Sequence, residues 1–123
     1  MRYNYCYYKF NIFLNMSEGI KEQAGSTAQW LKAFKLVMED GPLNMRVNVA
    51  ETIGTLPEGA QLEAFKMAME DESDEVREAA TWRIRELHRD IQRAALEIAM
   101  KDESTRVRKA AKEVYSLLRR SGI

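Results

Sequence analysis

Two thirteen-residue stretches, AMEDESDEVREAA at 68–80 and AMKDESTRVRKAA at 99–111, lie 31 residues apart and agree at nine positions. A chain that copies itself at such a spacing must build the same local unit more than once. The register runs on without a gap. Met38, Met69 and Met100 coincide, as do Asp40, Asp71 and Asp102, and likewise Arg46, Arg77 and Arg108. Ala33, Ala64 and Ala95 coincide, followed by Phe34, Phe65 and Leu96, and Leu56, Leu87 and Leu118 close each copy. These positions define a repeat domain at 28–120, with units at 28–58, 59–89 and 90–120, preceded by an extension and linker at 1–27.

Each unit reads as two helices. In the second, Leu62, Phe65, Ala68 and Met69 recur at three-and-four spacing, the mark of an apolar helical stripe. EDES interrupts it, and a second stripe follows through Val76, Ala79, Ala80, Ile84 and Leu87. Unit three repeats this with Val107, Ala110, Ala111, Val114 and Leu118, and Tyr115 takes the register position of Ile84. Pro42, Ser73 and Ser104 share one register position; Pro favours a first helical turn and Ser a helix cap, so all three mark the start of a second helix. LPEG at 56–59 marks a break between units, and LHRD at 87–90 marks the next without Pro or Gly. One such pair cannot bury both stripes, whereas three stacked pairs make a continuous core. The expected fold is all-α: an α-solenoid of three stacked helical hairpins.

Asp71…Val76-Arg77…Ala80 and Asp102…Val107-Arg108…Ala111 resemble the D-x-x-x-x-V-R-x-x-A pattern of the HEAT-repeat family. The short unit is similar to the HEAT-like repeats first named from phycobilisome lyases. Unit one departs from the pattern, with Met45 ahead of Arg46 and Val49 ahead of Ala50. The resemblance implies a structural ladder between neighbouring repeats, carried by Asp40, Asp71, Asp102, Arg46, Arg77 and Arg108. It also implies a curved stack whose face of second helices binds protein segments. Some members are enzymes or bind nucleic acid, so the fold alone does not decide function.

The residues argue against catalysis. There is no Gly-rich phosphate loop, no nucleophile elbow and no H-E-x-x-H. The lone Cys6 excludes an internal disulfide and a multi-cysteine metal site, and the lone His88 reads as a polar residue at a helix end. No catalytic residue, cofactor or metal is therefore expected. No apolar run reaches the ~18 residues of a membrane span. The N-terminal apolar stretch is short and broken by Asn and Lys, unlike a signal peptide, which places the protein in the cytoplasm.

Surface chemistry is unevenly spread. Nineteen basic and nineteen acidic residues cancel, yet unit one carries −1, unit two −3 and unit three +3. On an ideal helix Arg77, Thr81, Arg85 and His88 share one flank, which Arg108, Lys112 and Arg119 continue in unit three. Trp82 stands where units one and three have Glu51 and Glu113, the pattern of an interaction hot spot. The expected function is a non-enzymatic adaptor that binds another protein or peptide, acidic in character, through Arg77, Trp82, Arg85, Arg108, Lys112 and Arg119. The alternative is binding of a nucleic-acid backbone by the same basic strip. Self-association of acidic unit two with basic unit three is a third reading. Glu75 is expected to face Arg106 and Glu78 to face Lys109 across adjacent units. The first fifteen residues hold four of the five tyrosines and no acid. They read either as an extension ahead of a start at Met16 or as a cap on the stack.

Overall fold

The structure, a computed structural model, describes Tyr7 and residues 27–121. The described residues are all-helical, with no strand among them. Six α-helices follow in order: α1 Thr27–Asp40, α2 Leu43–Ala50, α3 Glu58–Met69, α4 Asp74–Trp82, α5 Arg89–Met100 and α6 Thr105–Arg120. Helices α1, α3 and α5 start 31 residues apart, and so do α2, α4 and α6. The sequence period is thus a period of structure, with each unit starting one residue earlier than the alignment places it.

Packing follows the same period. α1 packs on α3 and α3 on α5, while α2 packs on α4 and α4 on α6; within each unit the two helices also touch. One core cluster runs from Trp30 in α1 to Leu118 in α6. Its largest fully buried side chains are Phe34, Phe65, Ile53 and Ile84. Each is worth roughly 1.5–3 kcal/mol relative to exposure. Ala50, Ala64, Ala68, Ala80, Ala95, Ala99 and Ala111 have no exposed surface, so the helices approach closely where the repeat places small residues. Ahead of α1, Tyr7 is the one described residue. It packs against this core and its hydroxyl accepts a hydrogen bond from Asn48 Nδ2 at 3.0 Å. The rest of the expected extension or cap lies outside the described residues.

The second helices do not end alike. α2 gives way to a 3-10 turn at Ile53–Thr55, and α4 to one at Arg83–Glu86. After each, the backbone of Leu56 or Leu87 is extended. Pro57 cannot continue a helix, and His88 takes up a cap position ahead of α5. α6, with no such break, stays α-helical through Arg120. This corrects the expectation for Tyr115. Ile53 and Ile84 are fully buried, and Ile84 continues the α4 stripe of Val76 and Ala80 at four-residue spacing. In α6 the inward position falls on Val114, which is fully buried, and Tyr115 is 44% exposed.

The helix-start position also differs in detail. Ser73 and Ser104 precede their helices with extended backbone, but neither hydroxyl makes a capping bond. Instead Asp71 and Asp102 accept the Ser73 and Ser104 N–H groups at 2.9 Å, each carboxylate bracing its own inter-helix loop. Ser104 Oγ is directed to the neighbouring unit, where it donates to Asp74 Oδ2 at 3.0 Å.

Candidate functional site

The repeated charges decide which cations remain available. Arg77 Nε and Nη2 donate to the two oxygens of Asp102, at 3.0 and 3.3 Å, and its Nη1 donates to the Asp71 carbonyl at 2.7 Å. Arg46 makes the matching two-oxygen contact to Asp71 one unit earlier, while its Nη1 donates to the Gly41 carbonyl, one position past the register mate of the Asp71 carbonyl. The planar guanidinium fork suits this two-oxygen recognition. The rung runs from the Arg of one unit to the Asp of the next. Asp40 therefore makes no rung with Arg46, Arg77 or Arg108 and lies exposed at the end of α1. Arg108 holds the Asp102 carbonyl at 2.7 Å and Thr105 Oγ1 at 3.1 Å, with no carboxylate on its fork among the described residues.

These contacts remove Arg77 from the expected partner-binding set. Its side chain is buried and its donors are committed. The continuous basic flank expected across α4 fails for two reasons. Thr81 is fully buried and bonds the Arg77 carbonyl one turn back. Arg85 and His88 lie beyond the end of α4, so the 100° projection no longer applies. His88 is a helix start rather than a helix end: its Nδ1 accepts the Asp90 N–H at 3.3 Å, with Glu58 Oε1 3.4 Å away. In unit three, Lys112 occupies the register of buried Thr81 but is exposed, as is Arg119, which lies over the Tyr115 ring at 5.7 Å.

The expected cross-unit pairs shift by a fraction of a turn. Arg106 does not pair with Glu75. It reaches between Asp74 and Glu78, one turn apart on α4, with Nε 2.7 Å from Glu78 Oε2 and Nη1 3.8 Å from Asp74 Oδ1. That hydrogen bond and charge hold the Arg106 pKa above its ordinary value. Lys109 makes no bridge to Glu78 among the described residues; Glu78 is held by Arg106 instead.

What the structure does assemble is a cavity of about 690 Å³ where the end of α4, the start of α5 and the last turn of α6 meet. Trp82, Arg83, Arg85, Arg89 and Gln92 line it on one side, and Leu117 and Leu118 on the other. Trp82 is 38% exposed, and Arg85 and Arg89 are exposed. Two of the expected partner residues, Trp82 and Arg85, thus share one site; Arg108, Lys112 and Arg119 do not line it. A second recess of about 590 Å³ overlies the ladder, but its inner charges, Arg77 and Asp102, are already paired.

Gln92 is a site residue that the expected set lacks, and its sequence signal is that Gln61 and Gln92 coincide at the 31-residue spacing beside apolar positions. Both are buried. Gln61 Nε2 donates to the Leu56 and Gly54 carbonyls, and its Oε1 accepts the His88 N–H at 2.8 Å. Gln92 Nε2 likewise donates to the Ile84 and Arg85 carbonyls. Its Oε1, however, is buried with no partner, as is Arg83 Nε nearby. Comparison with protein-family models, curated proteins and solved structures finds no match to this chain. No described helix is long and apolar enough to cross a membrane.

Proposed function

We propose that this chain is a short HEAT-like solenoid acting as a non-enzymatic adaptor, which holds a protein partner at the second helices and the turns that follow them. The observation that carries this reading is Trp82, a large ring left 38% exposed at the mouth of a cavity, with Arg85 and Arg89 beside it. An exposed aromatic ringed by arginines is the composition of an interface anchor. The ladder supports the same division of labour: Arg46 and Arg77 hold neighbouring units together, so recognition falls to positions that vary between units. Affinity capture with the native chain and with Trp82→Ala and Arg85→Glu tests it. A partner retained equally by all three proteins would remove these residues from the interface.

A nucleic-acid reading draws on Lys112 and Arg119, both exposed on α6. A gel shift against duplex and single-stranded DNA at two salt concentrations decides it, since backbone binding must weaken steeply with salt.

A further inference from the structure

Gln92 Oε1 is the acceptor of a side chain only 5% exposed, and nothing meets it. Its orientation is fixed, because the amide nitrogen donates to two carbonyls and the oxygen must therefore point the other way. A buried acceptor without a donor loses the hydrogen bond that water would supply. The unit before shows what this position accepts. There the chain breaks after Leu87, and the N–H of His88 reaches Gln61 Oε1 at 2.8 Å. The counterpart of His88 is Arg119, which lies inside α6, where its N–H is spent on the helix. The unbroken α6 thus leaves both the cavity and the orphaned acceptor.

We propose that this cavity takes an extended acidic peptide segment of a partner protein, one main-chain N–H of which donates to Gln92 Oε1. This deepens the adaptor reading and rests on it. Carboxylates of the segment meet Arg85 and Arg89 at the rim and the unpaired Nε of Arg83 within. Glu86 is already engaged by Arg83 Nη1 at 3.1 Å, so the cationic excess of the lining persists. An apolar side chain of the segment lies on Trp82 and against Leu117 and Leu118. The volume falls within the roughly 300–1,000 Å³ usual for ligand sites. A phosphodiester backbone brings acceptors only and would leave Gln92 unpaired, which favours peptide over nucleic acid.

The test is fluorescence anisotropy on the full chain, with a fluorescein-labelled library of Asp/Glu-rich peptides bearing one Leu or Phe at each position in turn. At least one peptide should bind. Arg89→Glu, which leaves an acid at a helix N-terminus and so keeps the fold, should weaken it about tenfold or more, as for loss of a charge-assisted bond. N-methylation of one main-chain nitrogen of that peptide should cost a similar factor, while Lys112→Glu should cost nothing. Circular dichroism checks that each variant is folded. Binding lost with Lys112→Glu but kept with Arg89→Glu overturns the site and leaves the adaptor reading standing. Indifference to N-methylation at every position overturns the Gln92 contact. Stronger binding of single-stranded DNA of matched charge overturns the peptide. A library with no binder, alongside a partner captured in a Trp82-dependent way, overturns this inference alone.

Discussion

At the scale of single residues, identical chemistry has unequal weight according to burial. Arg77 and Asp102 form a two-oxygen pair with both side chains less than a tenth exposed. Arg77→Ala strands the Asp102 carboxylate and the Asp71 carbonyl, and should cost about 3–5 kcal/mol, the range for breaking one side of a buried pair. Urea denaturation measures it. Arg106→Ala removes a shorter contact to Glu78, but from an exposed guanidinium already competing with water. Its loss should be much the smaller in the same experiment. Gly54 is constrained by space rather than charge. A Cβ there would stand 2.5 Å from Glu86 Cβ, where the two 3-10 turns meet. Gly54→Ala should lower the unfolding free energy by about 1–3 kcal/mol, the usual cost of overpacking, seen as a lower urea midpoint.

At the scale of elements, the informative contrast is how the second helices end. Ile84 and Tyr115 occupy one register position, yet one is fully buried and the other largely exposed. Ile84→Ala should therefore cost about 2–5 kcal/mol as a core cavity forms. Tyr115→Ala should be nearly neutral by thermal melting, and Val114→Ala, not Tyr115→Ala, should carry the core penalty in α6, a smaller one than at Ile84 because fewer carbons are lost. The contrast begins before the turn, for Thr81 is fully buried and its register mate Lys112 exposed: α4 packs against both α2 and α6, whereas α6 packs against α4 and its own unit among the described residues. The way each second helix ends decides the fate of the paired glutamines. Gln61 meets a broken chain and is satisfied, whereas Gln92 meets an intact helix and is not.

At the scale of the whole molecule, one core cluster links every unit from Trp30 to Leu118, with no apolar gap between neighbours. Cooperative unfolding follows, since no unit can expose one side without opening the next. In a Trp82→Phe protein, Trp30 fluorescence reports the first unit alone, while helical circular dichroism reports all three. The two urea transitions should coincide; a separated Trp30 transition would show unit one to be an independent folding element.

Much of this was legible in the residues. The 31-residue register recurs in the helix starts, because helix-initiating and stripe positions repeat with it. It also separated repeated positions from varying ones, and the varying positions 70, 74, 75 and 78 all keep solvent access. Other matters were not legible. An ideal helical projection carried Arg85 and His88 onto a flank they do not share, since a change of helix type leaves no strong mark in composition. Glu75 and Glu78 were paired with their register mates, yet the long Arg106 side chain lies between two residues a turn apart. Local periodicity picks out the main inward stripe, and the sequence alone sufficed for that, but not for Thr81, which is buried, or Tyr115, which is exposed. Which cations are consumed, which glutamine finds its donor, and where a cavity opens depend on groups far apart in the chain meeting in one place. Only the packed structure decides those, because hydrogen bonds and burial are settled by distances that no spacing encodes.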